Sequence, residues 1–429
     1  MSNWRLYTPE GTSDLLPKQC AEKMNIENAI SDVFASFGYQ VVEVPVIQFY
    51  DVYDTESGRI EQETMYKFFD REGRILVLRP DITTSVARMA ATRLSDGVYP
   101  KRLYYCGKVF RYVDSYSSGQ REFCQAGIEL IGIKNDLADS EVIACAIESL
   151  MAAGLEQFQI EIGQVEFFKG ILSQAGFDDD QAEQLRKLVD KKDSLAIEEF
   201  LGNFPIDQKV KELILELPAL FGDIEILDRI DRSILNEQSL SALENLKNVY
   251  DLLSGYGFEQ YISIDLSLVK GINCYTGIIF KGITHGIGFA VCSGGRYDGL
   301  IGEFGKNVPA VGMAIGTDRL ISVLIRQQLL DFEPGADTLV FGDSPALCYQ
   351  ISTALRNEGF VAEQYLSDEN YENALAYAKA NNVQGIVSVK QDGTVSVHNI
   401  IEDTINETTL DELLGGCDCG EDGCHCHEH

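Results

Sequence analysis

Hydrophobic positions divide the chain into stretches with a helical period and stretches with a strand period. Apolar residues recur on one helical face over residues 18–37, and Gly38 follows where a C-terminal cap belongs. The next run, YQVVEVPVIQ, predicts a strand, in which Pro45 indicates an edge or a bulge. MYKFFDREGRILVLRPD predicts a hairpin around DREGR, and a short helix follows from Asp81.

Further strand-like runs flank one long helical stretch. KRLYYCGKVFRYV and REFCQAGIELIG predict two strands joined by a polar loop. From about 165 to 257 the spacing becomes helical, which predicts a helical insertion. Strand patterns return in QYISIDLSLVKG, TGIIFKGI and GFAVCSGGRYDGL, and VGMAIGTDRLISVLIRQQ predicts a strand and then a helix. Residues 1–328 are therefore expected to form an α+β core built on an antiparallel sheet.

The C-terminal part follows a different pattern. After DFEPGA, which is typical of a linker, strand and helix patterns alternate over 335–414 and predict a small α/β domain. Residues 415–429 form a Cys/His-rich acidic tail. Neither a Gly-rich dinucleotide fingerprint nor a phosphate-binding loop occurs in the sequence.

Composition limits the classes of function. The 429 residues carry a formal net charge of −32, which argues against an extended nucleic-acid surface, because phosphate binding needs lysine and arginine. No apolar run is long enough to cross a bilayer and the N-terminus lacks a signal pattern, so we expect a cytoplasmic protein without membrane contact. Seven of the 11 cysteines are scattered, as expected of reduced core residues.

Polar residues inside apolar strands indicate a binding site. Gln125 and Glu129 lie four apart in FCQAGIE, so a strand directs both to one face. Asp81 follows a strand end, Arg111 follows KVF, and Arg319 begins a helix. Buried charges need partners, either each other or a ligand. As a set, these side chains favour a ligand that carries an amino group and acidic oxygens.

Taken in order, the runs resemble the motifs of class II aminoacyl-tRNA synthetases, in particular the histidyl branch. The first helix with GYQVVEVPVIQ is similar to motif 1, YYCGKVFR with REFCQAGIELIG to motif 2, and VGMAIGTDRL to motif 3. LVKGINCYTGIIF resembles the histidine-pocket signature, and SGGRYDGL and LRPDIT complete the set. TPEGTSDLLP, EIGQVEFFKG and CSGGRYDG resemble one offshoot more closely, the regulatory subunits of short-form ATP phosphoribosyltransferase.

The resemblance implies a histidine pocket without catalytic residues. The residues that it assigns to histidine are Asp81, Thr83, Arg111, Gln125, Glu129, Tyr275 and Thr276. The residues that it assigns to a nucleotide or another anion are Arg121, Lys270 and Arg319. It also implies a homodimer formed through motif 1.

Three departures from the synthetase pattern concern the chemistry. Lys270 stands where the synthetases carry an arginine, and a lysine cannot make a two-pronged planar contact. Val113 replaces the glutamate that orients adenine, and Asn273-Cys274 replaces the first part of an Asp-Tyr-Tyr run. We therefore expect no aminoacylation and no required cofactor.

The implied role is regulatory. The chain would assemble with a catalytic ATP phosphoribosyltransferase subunit, be required for the first step of histidine biosynthesis, and convey feedback regulation by histidine. Two alternatives remain open: an active histidyl-tRNA synthetase, and a synthetase-like enzyme that forms an adenylate on another acceptor.

The charge of the C-terminal part speaks against tRNA binding. Residues 335–429 contain 17 Asp and Glu but only 3 Lys and Arg, so an anticodon-binding shape would repel phosphate. The tail offers thiol and imidazole ligands that suit zinc, although their spacing matches no zinc finger. The candidate ligands are Cys417, Cys419, Cys424, His425, Cys426 and His427. The alternative is a disordered end that binds metal only adventitiously.

Overall fold

The chain divides into two compact units, Met1–Leu330 and Asp331–His429. The structure, a computed structural model, describes residues 4–55, 60–112, 119–269, 274–330, 335–367, 370–390 and 394–409. Among these residues, none of the helices combines the length and the apolar character that crossing a bilayer requires.

The helices of the first unit are α1 (Pro17–Ser36), α2 (Thr83–Arg93), α3 (Asp136–Ala152), α4 (Val165–Ala175), α5 (Asp179–Asp190), α6 (Ser194–Leu201), α7 (Gln208–Glu216), α8 (Glu237–Gly255) and α9 (Thr317–Arg326). Its strands are β1 (Gln40–Val41), β2 (Ile47–Phe49), β3 (Lys67–Phe69), β4 (Ile75–Leu78), β5 (Lys101–Phe110), β6 (Glu122–Ile131), β7 (Gln159–Gln164), β8 (Phe221–Gly222), β9 (Ile262–Asp265), β10 (Ile278–Ile283), β11 (Cys292–Arg296) and β12 (Ala310–Gly316).

One large sheet organises this unit. Its strands follow the order β1-β5-β6-β12-β11-β10-β7-β9-β8, and every neighbouring pair is antiparallel except β1 with β5 and β7 with β9. A smaller antiparallel sheet has the order β2-β4-β3, and β3 with β4 forms the predicted hairpin. The predicted α+β fold, built on a mainly antiparallel sheet, is confirmed.

The two faces of β6 differ because its residues alternate in character. Ala126, Ile128 and Leu130 are buried in the main core, which α1 and α3 also line. Gln125 and Glu129 lie on the opposite face, since successive side chains of a strand point to opposite sides. Helices therefore cover the back of this strand, and its front carries the polar residues.

Helix α1 covers the back face because its sequence suits a packed helix. Pro17 occupies its first turn, where a missing N–H costs nothing, and Gln19 bonds back to the N–H of Leu16. Its fully buried positions, Ile30 and Phe34, are one helical turn apart.

The run YQVVEVPVIQ does not form one strand, so that prediction is wrong. β1 joins the large sheet and β2 joins the small one, and Pro45 lies between them. Proline has no N–H to donate to a ladder, and the buried Val44 packs beneath α2 in a second core cluster. The chain therefore changes sheets at this point.

The second unit is a small α/β structure. Its helices are α10 (Pro345–Asn357) and α11 (Tyr371–Ala380), and its strands are β13 (Thr338–Gly342), β14 (Ala362–Gln364), β15 (Gly385–Val389), β16 (Thr394–Asn399) and β17 (Thr404–Thr409). Strands β14, β13 and β15 are parallel, and β16 and β17 continue the sheet antiparallel. The sequence patterns did not distinguish β17 as a separate strand.

Candidate functional site

Glu129 is the centre of a buried polar cluster on the front face of β5 and β6. Its side chain is 1% exposed. Tyr105 donates a hydrogen bond to its Oε1 at 3.3 Å, and Tyr297 donates a short hydrogen bond to its Oε2. The hydroxyl of Thr83, at the start of α2, lies 3.2 Å from that of Tyr105. Side chains from β5, from the residue after β11 and from the start of α2 thus surround one carboxylate.

Glycines make room for this cluster. Tyr105 lies opposite Gly127 on β6, and a Cβ on that glycine would come within 2.5 Å of the tyrosine hydroxyl. Glu129 lies opposite Gly312 on β12, where a Cβ would collide with the carboxylate. The tyrosine and the glutamate can therefore lie flat against the sheet only because both facing positions lack a side chain.

Burial controls the protonation of Glu129. Desolvation raises its pKa to about 8, while hydrogen bonds from Tyr297, Thr83 and Tyr105 act in the opposite direction. No ion pair joins Glu129 to a cation among the residues that the structure describes. A buried carboxylate of this kind can accept the ammonium group of a ligand as its missing counter-charge.

Asp81 and Tyr275 belong to the same cluster. Asp81 accepts hydrogen bonds from the backbone N–H and the hydroxyl of Thr84, at 3.0 and 3.1 Å. Burial raises the pKa of Asp81, and Arg111 opposes that shift. Burial also raises the pKa of Tyr275, to which Cys274, Glu129 and Asp81 contribute as neighbouring acidic groups. These residues are therefore within electrostatic reach of one another.

Two arginines place positive charge beside this cluster. Arg111 donates to the carbonyl oxygen of Pro80 at 2.8 Å, and its guanidinium lies 5.7 Å from the ring centre of Phe123. Arg319 lies 5.3 Å from the ring centre of Phe289. Burial and the nearby Arg111 lower the pKa of Arg319, so the two guanidinium groups repel each other. An anion bound between them would relieve that repulsion.

The remaining sequence candidates have other surroundings. Gln125 lies on the same strand face as Glu129 and is paired with Gly107 and Gly316. Thr276 accepts a hydrogen bond from the N–H of Asp298 at 3.0 Å and lines a separate polar cavity of about 360 Å³.

Arg121 is engaged near the N-terminus. It forms an ion pair with Glu10 at 3.1 Å and lies over the ring of Tyr112 at 4.3 Å. Lys270, Val113 and Asn273 lie outside the described residues, as do the tail ligands Cys417, Cys419, Cys424, His425, Cys426 and His427.

Tyr105 and Tyr297 were not identified from the sequence as site residues. Tyr105 sits in an apolar run and reads as an ordinary strand residue. Tyr297 belongs to SGGRYDG, a segment that carried part of the family resemblance but no assigned ligand contact. A tyrosine opposite a glycine on the neighbouring strand would have indicated the site. That pairing can be recognised only when the register of β5 and β6 is known.

Known proteins are similar over nearly the whole chain. Residues 11–320 match the histidyl-tRNA synthetase family. The ATP phosphoribosyltransferase regulatory subunit of Acetivibrio thermocellus is 44% identical, over 96% of this chain and 100% of that protein. The protein of the same name from Clostridium acetobutylicum is 40% identical, over 93% of this chain and 99% of that protein.

Solved structures agree with this assignment. A Bacillus halodurans protein described as an ATP phosphoribosyltransferase regulatory subunit/histidyl-tRNA synthetase superposes with a TM-score of 0.80 at 28% identity, covering 91% of this chain and 100% of that one. Histidyl-tRNA synthetase from Nostoc shares the fold, with a TM-score of 0.82 at 22% identity, covering 95% and 97% of the two chains. The chain belongs to the histidyl-tRNA synthetase family and, within it, to the ATP phosphoribosyltransferase regulatory subunits, a non-catalytic branch.

Proposed function

We propose that this chain binds L-histidine at the Glu129 cluster and conveys that signal to a catalytic ATP phosphoribosyltransferase subunit. The observation that carries the proposal is a carboxylate, 1% exposed, that is surrounded by hydroxyl groups and has no cationic partner among the described residues. The ammonium group of an amino acid would supply that partner. Membership of the regulatory-subunit family supports histidine as the amino acid.

The ligand would span two ends of opposite charge. Its ammonium group would lie against Glu129, with Gln125, Asp81 and Thr83 completing the polar surroundings. Its carboxylate would lie towards Arg111, where the repulsion between Arg111 and Arg319 favours an anion. Its imidazole would meet Tyr275 and Thr276, and the hydrogen bond that Thr276 accepts from the N–H of Asp298 would hold this segment in place.

Regulation requires only that histidine bind two states of the assembly with different affinity. The catalytic partner would join ATP to phosphoribosyl pyrophosphate, the first step of histidine biosynthesis, and would need this chain for activity. The chain would form a homodimer through α1 and the segment after it. Arg319, Lys270 and Arg121 would contact a nucleotide or another anion, and Arg121 would exchange its ion pair with Glu10 to do so.

Calorimetric titration of the complex tests the ligand directly. The purified chain is mixed with the catalytic subunit encoded in the same genome and titrated with histidine. Histidinol is the matched control, because it keeps the ring and the ammonium group but lacks the carboxylate. We expect saturable binding and inhibition by histidine, with weaker binding of histidinol. Failure of histidine both to bind and to inhibit would overturn the proposal.

Two further measurements address synthetase activity. Histidine-dependent exchange of pyrophosphate into ATP by the chain alone should be absent, because the proposal assigns it no adenylate chemistry. A tRNA gel-shift titration should give no complex at physiological salt, since the second unit and the tail together are strongly acidic. Exchange activity would favour an active synthetase instead.

The tail is proposed to bind zinc through its cysteines and histidines. Four thiols and the neighbouring imidazoles within 13 residues can provide a tetrahedral ligand set. The full chain should therefore lose zinc capacity when Cys417, Cys419, Cys424 and Cys426 are all replaced by serine, with no change in histidine binding. Equal zinc content in both proteins would contradict this assignment.

A further inference from the structure

A second cluster lies on the back face of the strands that carry the Glu129 site. Cys106 on β5 and Cys124 on β6 are diagonal neighbours, because Cys106 pairs with Ala126 and Cys124 pairs with Lys108. Their Sγ atoms are 3.9 Å apart. Cys124 is buried, whereas Cys106 is exposed and gives the pair a route to solvent.

Glu27 of α1 brings a carboxylate to these two thiols. One oxygen of Glu27 and the two Sγ atoms all lie within 4.8 Å of one another. The other contacts of Glu27 involve its Oε1, which accepts hydrogen bonds from Lys23 at 2.5 Å and Thr317 at 2.8 Å. The carboxylate is thus fixed in place by α1 and by the start of α9.

Glu27 is ion-paired in this setting, with Lys23 at 2.5 Å. Burial acts to raise its pKa, but hydrogen bonds from Lys23, Cys124 and Thr317 outweigh that effect and lower it. The thiol of Cys124 lies within 4.8 Å of this carboxylate. A charged oxygen and two sulfur atoms therefore face one small volume.

The distance between the sulfur atoms distinguishes a disulfide from two thiolates that share one metal ion. A disulfide requires about 2.05 Å between them, so these thiols would have to move together by nearly half their distance. Two thiolates on a tetrahedral zinc ion, each about 2.3 Å from the metal, stand about 3.8 Å apart. The observed 3.9 Å corresponds to the second arrangement.

We propose that Cys106, Cys124 and Glu27 form a binding site for a thiolate-preferring divalent cation, zinc in the first instance. Two sulfur ligands and one carboxylate oxygen would occupy three tetrahedral positions, and water would take the fourth. Soft sulfur ligands select zinc over magnesium or calcium, which prefer oxygen.

The charge of the cluster balances when the metal enters. Each thiol loses one proton to solvent as it becomes a ligand, so a divalent cation replaces two protons and the net charge stays the same. Lys23 pairs with both Glu27 and Asp318, the latter at 3.2 Å, and offsets one of their two negative charges. The metal would consequently bind more tightly as pH rises, because both thiols must ionise.

The site would join helix α1 to the two strands that carry Tyr105 and Glu129. Its three ligands come from three separate elements, so the ion would act as a cross-link between them. The hydrogen bond from the N–H of Cys124 to Asp318 extends the connection to α9, where the next residue is Arg319. An ion bound on the back face would then restrain the strands that carry Tyr105 and Glu129 on the front face.

Cobalt substitution tests this proposal because cobalt bound to thiolate absorbs in the near ultraviolet through sulfur-to-metal charge transfer. The test protein is the full chain with the four tail cysteines replaced by serine, reduced and stripped of metal. Titration with Co²⁺ should reach saturation at a single equivalent. Zinc added afterwards should abolish the absorption.

Three variants of the test protein locate the ligands. Cys106→Ser and Cys124→Ser should each lose about half or more of the band, since one of two thiolates is gone, and Glu27→Gln should weaken cobalt binding by at least about tenfold. Cys20→Ser is the matched control, because Cys20 lies exposed on the same helix α1, and it should leave the titration unchanged. Circular dichroism identifies any variant that fails to fold, and the exposed Cys106 then provides the decisive substitution.

Three results would contradict the proposed metal site. A reduced protein that gives no thiolate band would overturn the site, as would a band that persists in the double variant Cys106→Ser/Cys124→Ser. A Cys106–Cys124 disulfide that forms in air, in a protein that binds no cobalt when reduced, would assign the pair to redox chemistry instead. None of these outcomes depends on histidine binding, so they are independent of the proposed function.

Discussion

Two buried carboxylates in the first unit have opposite surroundings. Asp139 on α3 is 2% exposed and pairs with Arg296, whose Nη2 lies 2.7 Å from its Oδ1. Glu129 is 1% exposed and is surrounded by tyrosine and threonine hydroxyls, with no ion pair among the described residues. The chain supplies the counter-charge in the first case. In the second case the described residues supply none, and under the proposed function a ligand would provide it.

The two carboxyl groups consequently differ in acidity. Burial raises the pKa of Asp139 to about 6, with Arg296 limiting the shift. Burial raises the pKa of Glu129 to about 8. At neutral pH Asp139 is mostly charged, whereas Glu129 is mostly protonated until a cation arrives. An internal ion pair is a structural feature, and an uncompensated carboxyl group is a sign of a binding site.

Replacing Asp139 by alanine should have the largest effect, on stability. Among the described residues it leaves the buried Arg296 with only Asp298 as an acidic partner, at 3.1 Å, so we expect a loss of about 3 kcal/mol. Urea unfolding followed by circular dichroism measures it. Asp251→Ala, which breaks the exposed pair with Lys247, is the control and should cost less than about 0.5 kcal/mol. Equal losses would contradict the distinction between the two kinds of pair.

Glu129→Gln should weaken histidine binding without lowering the free energy of unfolding. The change removes the charge that would meet the ligand ammonium, so histidine affinity should fall by about 10- to 100-fold. The free energy of unfolding should stay the same or rise at pH 8, because a desolvated carboxylate is gone. Calorimetry and urea titration measure the two quantities. A variant that unfolds readily but binds histidine normally would reverse the roles assigned to the two carboxyl groups.

Histidine affinity should depend on pH through Glu129. Since its folded-state pKa is about 8, binding of an ammonium group at lower pH must release a proton from this residue. Affinity should therefore rise by up to about tenfold per pH unit between pH 6 and 8, and then level off. Titrations of the wild-type chain and Glu129→Gln give the contribution of this residue as a difference, which removes the titration of histidine itself.

The stability of the unliganded chain should instead fall as pH rises. The folded chain holds the Glu129 proton more tightly than the unfolded chain, whose carboxyl keeps a pKa near 4.5. This group therefore destabilises the unliganded fold progressively as pH rises from about 4.5 to about 8. Glu129→Gln should remove that component from the pH profile of urea unfolding, and an unchanged profile would contradict the raised pKa.

Tyr297→Phe should have the smallest effect. The tyrosine donates a hydrogen bond to Glu129, and its removal should weaken histidine binding by about 1 kcal/mol, or roughly fivefold. Tyr39→Phe is the matched control, because that hydroxyl bonds to Glu141 at 3.1 Å, on the opposite side of the sheet. The control should bind histidine like the wild-type chain. Equal losses in both would show that the tyrosines act through packing.

Some parts of the site could be predicted from local sequence patterns. The period of two along a strand placed Gln125 and Glu129 on one face, and the end of β4 placed Asp81 and Thr83 near the start of α2. Apolar spacing likewise predicted α1 and the hairpin of β3 and β4. In each case the information lies within about ten neighbouring residues.

The remaining features depend on contacts between distant segments. Tyr297, directly after β11, meets Glu129 across 168 positions of the chain, through the pairing of β11 with β12 and of β12 with β6. The orientation of Thr276 depends on its contact with Asp298, which no local pattern encodes. The cluster of Glu27, Cys106 and Cys124 requires the packing of α1 onto the sheet, and scattered cysteines gave no sign of it.

The absence of a side chain at position 312 has a consequence for how the specificity of this family could change. The Glu129 carboxylate packs directly against Gly312, so a single methyl group at that position would displace the carboxylate from the sheet. Under the proposed function, the depth at which an ammonium group binds would thus be determined by a residue that does not contact it. Selection for a longer or shorter ligand could then act on position 312 and leave every side chain that contacts the ligand unchanged.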